Sequence, residues 1–174
     1  ILEKVVALVI PDENQGLARY QAGELDKGPV PSGQFKKLKA DFPDEAISFP
    51  RLCNYYYTFN LSDSGIEAFK DVRVRHAMSY AIDRNVITED ILQAGQIPAY
   101  TFTPGATAGF EVPSVAFSKM TQTERDAKAV ELMEAAGYGK DNPLSFTMIY
   151  NTSEGHKKIA TVMAQMWKQK LGIN

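Results

Sequence analysis

Apolar residues recur along this chain with two spacings, and each spacing predicts a different kind of element. Val74, Ala77, Met78, Ala81 and Ile82 fall at i, i+3, i+4, i+7 and i+8, one face of a helix beginning near Val72. Ile159, Val162, Met163, Met166 and Trp167 repeat that pattern near the carboxyl end, and Ala129, Leu132, Met133 and Ala136 repeat it between them. Thr121 with Glu124 is a capping-box pair that starts the middle helix, and Gly137 stops it. Leu144, Phe146, Met148 and Tyr150 instead alternate with Ser145, Thr147 and Ile149, the period of a strand. Leu2 to Ile10 is rich in β-branched residues and stops at Pro11, which also reads as a strand.

Between these lie shorter elements. Asp12 is placed to cap a helix from about Glu13 to Ala22, with Gly23 as its stop. Glu24 to Asp26 reads as a short extended piece. Ser32 reads as the cap of a second helix, with Phe35 and Leu38 inward, Lys36, Lys37 and Lys39 outward, and Pro43 at its end. Ala46 to Phe49 reads as a third strand. Residues 1–50 thus predict β-α-β-α-β, a small α/β lobe. Residues 53–61 predict an aromatic strand in which Tyr55 and Tyr57 share one face and Tyr56 takes the other. The helical region from Val72 is broken by Asp83-Arg84-Asn85, so a further helix is expected from there to Leu92, with Gly95 beyond it. From Gln96 to Lys119 no period holds, and Pro98, Pro104, Gly105, Gly109 and Pro113 mark a long loop carrying Tyr100, Phe102, Phe110 and Phe117. After α-helical residues up to Leu171, Gly172 reads as a stop and Ile173-Asn174 as the first residues of another strand. With Ile1 rather than Met at the start, both ends read as cut from a longer chain.

Composition narrows the function classes. The chain has 174 residues, 44% of them hydrophobic, enough for one good core or two small ones. A net charge of −2 lacks the basic excess that a nucleic-acid or anionic-membrane surface shows. No apolar run approaches the ~20 residues that a membrane-crossing helix needs, and Leu2–Ile10, interrupted by Glu3 and Lys4, is no signal peptide. Cys53 is the only cysteine, so no disulfide closes within the chain.

Little in the sequence points to catalysis. One cysteine and two distant histidines, His76 and His156, do not make a metal site. Asp63, Asp71 and Asp83 are better explained as turn or cap residues than as a catalytic pair. Glycine-rich phosphate loops and nucleophile elbows are absent. No cofactor is expected, and the chain reads as non-enzymatic. The stretch Tyr150 to Lys158 is the exception in interest: it puts a strand end, a capping turn and a helix start within nine residues. Helix N-termini offer free N–H groups and partial positive charge to carboxylates, and His156 and Lys157 would add donors. The residues alone leave two readings open, a carboxylate site or an ordinary capped helix with a solvated histidine. The tyrosine run is similarly open between a groove wall and a strand packed on both faces.

Several segments resemble one family. Asn14 to Asp26 is similar to an Arg-Tyr-x-x-Gly-Glu-Ile-Asp segment, and Gln34 to Lys39 to the helix that follows it. Leu52-Cys53-x-Tyr55-Tyr56-Tyr57 and Asp71-Val72-Arg73-Val74-Arg75 are the most specific, with Ala81 to Arg84 and Pro98 to Tyr100 behind them. These resemble the periplasmic oligopeptide-binding proteins, the extracellular solute-binding family 5 of ABC importers, essentially from end to end. Tyr150-Asn151-Thr152-Ser153 with His156-Lys157-Lys158 resembles the oligopeptide and murein-tripeptide branch. The resemblance implies an α/β fold of the periplasmic-binding-protein type II kind, bilobal and here partial. Residues 1–50 would be the C-terminal portion of the first lobe and 51–174 the N-terminal part of the peptide-binding second lobe. It implies capture of short peptides in the periplasm, or by an extracytoplasmic lipoprotein, for delivery to a membrane permease. A peptide or murein-tripeptide receptor for cell-wall recycling or signalling is the alternative, and an α/β enzyme a more distant one.

Carried over by position, Cys53, Asn54, Tyr56, Asn151 and His156 become the peptide-binding candidates. Tyr56 would line the cleft, and His156 would meet the carboxylate end of longer peptides. In the oligopeptide branch the cysteine matching Cys53 pairs with one far downstream, in a Trp-Cys-x-Asp segment whose aspartate holds the peptide amino terminus. Arg51 departs from the tyrosine common before Leu-Cys, and Ile91-Leu92-Gln93 lacks a lysine some relatives carry, which bears on the length and charge of the peptide preferred. Faces that would meet the rest of both lobes predict self-association of this piece.

Overall fold

The computed structural model describes residues 2–49 and 51–174. Five α-helices organise it: α1 (Glu13–Gln21), α2 (Phe35–Asp41), α3 (Val72–Tyr80), α4 (Gln122–Ala135) and α5 (Glu154–Leu171). Shorter helical turns lie at Glu67–Lys70, Val86–Leu92 and Ala116–Lys119.

The core is where the helical periodicities converge. Val74, Ala77, Met78 and Ala81 of the α3 region are completely buried, facing Ala129 and Met133 of α4 and Ile159, Met163 and Trp167 of α5. Small residues at 77 and 81 let the helices approach closely. Polar ties reinforce the packing. The Trp167 indole N–H donates to the Met78 carbonyl at 2.8 Å, fully buried. Lys170 of α5 donates to the Ala81 carbonyl at 2.9 Å and to Asp126 of α4 at 2.8 Å. Arg73 reaches the Ala135 carbonyl at the end of α4 at 2.7 Å. Phe59, Phe69, Phe146 and Trp167 form a chain of aromatic contacts with centroids 4.9 to 5.8 Å apart, which brings both aromatic extended segments onto this core.

The caps follow the side chains expected of them, with two exceptions. Asp12 accepts from Asn14 and Gln15 N–H groups at the head of α1. Thr121 and Glu124 form the reciprocal capping box of α4, and Ser153 caps α5. Ser32 does not cap α2: the helix starts three residues later, after Gln34, and the Ser32 N–H donates instead to Glu13 at 2.9 Å. The helix after Asp83 is wound as a π-helix over Val86–Leu92 and ends in Gln93, whose φ is +59°, two residues before Gly95. Asp83 caps it through the Asn85 N–H at 3.0 Å.

The strands are the larger correction. Among the described residues no strand is assigned, and the segments expected as strands at 2–10, 24–26, 46–49, 53–61 and 144–150 contain neither helix nor strand. The α/β class therefore does not appear as a sheet, and residues 2–49 carry two helices joined by segments without strand. The physical reason is that alternation and β-branching report fitness for a half-buried pleated surface, whereas a ladder also needs a neighbouring backbone. Leu2, Val5, Val6, Val9 and Ile149 are accordingly left exposed. The nearest thing to pairing joins the ends of one unit. The Phe146 N–H donates to the Asn174 carbonyl at 3.1 Å, and the Asn174 N–H donates to Leu144 at 3.0 Å. Asn174 thus bonds to residues either side of Ser145, the pattern of neighbouring parallel strands bridged by α5.

Two outcomes are expected from this packing. Replacing Trp167 with Phe keeps most of the ring but leaves the buried Met78 carbonyl without its donor, and should lower unfolding free energy by about 1–3 kcal/mol in urea titrations. Asp71 is held below the ordinary carboxylate range by its side-chain and backbone hydrogen bonds from Arg73, and Glu124 by its backbone and side-chain bonds with Thr121. Their folded-state affinities for protons are lower than in the unfolded chain. Their contribution is present at neutral pH and is lost as pH falls through the depressed folded values. Asp71→Asn with Glu124→Gln should flatten the acid limb of a stability-against-pH curve.

Candidate functional site

Four of the five residues singled out from sequence fall into two sets around one extended segment. Asn54 and Tyr56 face the long loop. The Asn54 amide donates to the carbonyls of Thr101 at 3.3 Å and Phe102 at 2.6 Å. The Tyr56 ring meets Phe102 edge-on, with centroids 4.9 Å apart. Tyr56 and Phe102 are both exposed, so the pair presents an aromatic surface to solvent. The loop that supplies Phe102 is anchored at its base by two arginines. Arg84 donates to the Ala99 carbonyl at 2.9 Å and to Ser79, and lies over the rings of Tyr100 and Phe117. Arg125 donates to the Tyr100 hydroxyl at 2.9 Å and to the Phe117 carbonyl at 3.3 Å. Burial pulls the Arg84 guanidinium below its ordinary pKa, with Tyr100 opposing and Arg125 adding to the shift.

On the other side, Tyr55 meets the start of α5. Its ring stacks on His156 with centroids 4.3 Å apart and planes 24° from parallel. The His156 Nδ1 is in hydrogen-bond contact with the Asn151 side-chain oxygen. That contact occupies Nδ1 and leaves Nε2 for another partner. The Tyr55 and Tyr57 hydroxyls are hydrogen-bonded to each other at 3.1 Å. Burial, then this hydrogen bond, then the nearby Tyr55 and Tyr150 hydroxyls raise the Tyr57 phenol above its ordinary pKa, so Tyr57 stays neutral. The hydroxyl-bearing face therefore belongs to His156, Asn151, Tyr55 and Tyr57.

The geometry joins His156 to Asn151 and Asn54 to the loop beside Tyr56, but it gives no direct contact between the two sets. Cys53 belongs to neither; it is exposed, with a free thiol. Tyr55 was not among the candidates singled out for the site, and Phe102 was noted only as one aromatic of a loop. The alternation rule already put Tyr55 opposite Tyr56; what it cannot say is that α5 comes to that face. Phe102 carries no local signal of its own, because its position is set by Asn54 and the arginines beneath Tyr100. Among the described residues no cluster of histidine, cysteine, aspartate or glutamate is arranged to hold a metal ion, and no helix is long and apolar enough to cross a membrane.

Comparison with known proteins gives these features a setting. The Escherichia coli periplasmic murein peptide-binding protein MppA is 44% identical over 175 residues, spanning all of this chain and 32% of that relative. The Salmonella typhimurium periplasmic oligopeptide-binding protein OppA is 38% identical over 176 residues, again all of this chain and 32% of the relative. This chain thus spans about a third of the length of either protein. The crystal structure of the E. coli murein tripeptide-binding protein MppA superposes with a TM-score of 0.90 at 43% identity, over 96% of this chain and 32% of that one. An MppA structure described as the unliganded open form superposes with a TM-score of 0.73 at 42% identity, with the same coverage. The model of the bacterial extracellular solute-binding proteins, family 5 Middle, matches residues 1–174, and the chain belongs to that family.

Proposed function

We propose that this chain is the middle portion of a substrate-binding component of an ABC importer, one that captures short oligopeptides in the periplasm and delivers them to a membrane permease. The observation that carries the reading is the corner at the start of α5 within a family-5 chain. There a histidine is oriented by stacking and by a hydrogen bond, and its outer nitrogen is left open. In this reading residues 1–50 belong to the first lobe and 51–174 to the second lobe of a bilobal type II binding fold. His156 meets a ligand carboxylate, with Asn151 and Tyr55 holding its ring. Tyr56 and Phe102 offer an apolar wall, held by Asn54. The unpaired extended segments, whose apolar side chains lie exposed, are where the rest of both lobes would add their strands. They would also make an isolated piece self-associate.

The protein acts by binding and not by turnover. Peptide termini and backbone supply the fixed contacts, and side chains sit in wetter space, so many sequences are accepted. Closure of two lobes on the ligand then presents one shape to the permease. A murein-peptide receptor serving cell-wall recycling is the second reading. It is favoured by the higher identity to the murein peptide-binding relative, 44% against 38% for the oligopeptide-binding one.

Calorimetric titration of the full-length protein with a lysine-containing tripeptide and with murein tripeptide tests both readings, beside the same titrations on this chain. Binding of either by the full-length protein, and by this chain weakly or not at all, is expected; the tighter ligand decides between import of general peptides and murein recycling. His156→Ala should weaken binding of the free-acid peptide about tenfold or more, as expected for losing a hydrogen bond to a charged group, and should affect the peptide amide less. Failure of the full-length protein to bind any short peptide overturns the proposal.

A further inference from the structure

The first turn of α5 has a second face, turned away from Tyr55, and that face holds part of residues 1–49. The Lys158 ammonium donates to the Ser32 carbonyl at 2.7 Å. A Cβ built on Gly155 would lie 2.7 Å from the Ser32 hydroxyl oxygen, so Ser32 sits where any larger residue at 155 would put its side chain. On the opposite side, the Gly33 N–H donates to the Leu92 carbonyl at 3.3 Å. Gly33 has a φ of +83°, and its Cβ would come within 3.1 Å of the Ile91 carbonyl, so this turn too is cut to fit its seat. Lys36 to the Glu89 carbonyl at 3.2 Å and Ser48 to the Ala94 carbonyl at 2.8 Å extend the same seam.

The seam is thin and polar. Its hydrogen bonds run mostly from side chain to backbone, and a groove of about 600 Å³ lies along it, lined by Ser32, Gln34, Asp90, Glu154, Lys157 and Lys158 among others. Among the described residues, none of those in the main hydrophobic core comes from 2–49. An interface of this kind has little apolar burial to hold it and is readily made and broken. The lower superposition on the open form of MppA than on the other MppA structure means that these two structures of one relative differ within the region this chain matches.

We propose that Gly155 and Lys158 are positioning residues for ligand capture: they seat the Ser32–Gly33 turn on the first turn of α5 when the two parts are closed, and the seat separates when they open. The inference rests on the two-lobed reading above. Its physical content is that one helical turn serves both tasks. His156 lies between Gly155 and Lys158 in sequence, so a ligand that fixes His156 also fixes the seat, and an occupied seat holds the His156 corner against the first lobe. Contacts present only in the closed arrangement shift its population, and so change affinity without touching ligand.

The test uses the full-length protein carrying Gly155→Leu, Lys158→Met or Lys158→Arg. Leucine favours helix over glycine, so the first variant strengthens α5 while blocking the seat. Methionine keeps the stem of Lys158 and removes the donor, and arginine restores one. The readouts are peptide affinity and dissociation rate, and the radius of gyration of the ligand-free protein by small-angle scattering. The expected result is about tenfold weaker binding carried by faster dissociation in the Leu and Met variants, with a larger ligand-free radius, an unchanged melting temperature and recovery in the Arg variant. Peptide binding and scattering identical to the parent in both the Leu and Met variants would overturn the inference and leave the peptide-binding reading intact. If the parent itself binds no peptide, that reading falls, and the scattering comparison alone decides the seat. Should the Leu variant not fold, the Met and Arg pair carries the same decision.

Discussion

The geometry of the candidate site hangs on how closely α3 lets its neighbours approach. Its inward face is Val74, Ala77, Met78 and, just beyond, Ala81, all with no solvent exposure. Two alanines on that face leave room for the Trp167 indole to reach the Met78 carbonyl and for Lys170 to reach Ala81, bonds that fix the rotation of α5 about its axis as well as its distance. Rotation is what matters at the other end of that helix. A turn of one residue, about 100° on a helix, would carry His156 away from Tyr55 and Gly155 away from Ser32. The buried indole is therefore the anchor for contacts more than two turns distant.

That helical frame was legible in the sequence because its signals are local. Periodicity located α3, α4 and α5; Asp12 located the start of α1, Thr121 with Glu124 that of α4 and Ser153 that of α5, since a cap is decided by side chains within three residues. Ser32 was misread as a cap because the same small polar residue that ends a helix's orphan donors also suits a close tertiary approach, and only the partner tells them apart. Gln93 taking a left-handed conformation was not legible, because a π-helix closes its last turn one residue out of the expected phase.

The strands illustrate a different limit. Val5, Val6, Val9 and Ile149 follow strand chemistry faithfully, yet in this chain they are exposed and unpaired. Their side chains record an environment that the chain by itself does not supply. The site was legible to a similar half: Asn151 and His156 are five residues apart and could be paired from sequence, as could Asn54 and Tyr56 on one strand face. Tyr55 on His156 and Phe102 on Tyr56 join segments 101 and 46 residues apart, and no spacing rule reaches that far.

The two sides of the site differ in how firmly they are held, and the difference bears on mechanism. Phe102 is fixed by Asn54 above and by Arg84 and Arg125 below, through bonds to backbone carbonyls inside the same helical unit. The wall it forms with Tyr56 is thus tied to the ends of α3 and α4. His156 is held by Tyr55 and Asn151, but it stands at the margin of that unit, on the turn that also receives Ser32. A ligand spanning from the aromatic wall to His156 would meet one surface tied to that unit and one whose neighbour across the seam can move. Under the proposed function, specificity for the body of the ligand would belong to the wall and the affinity gained by closing to the seam, so the two properties would vary independently.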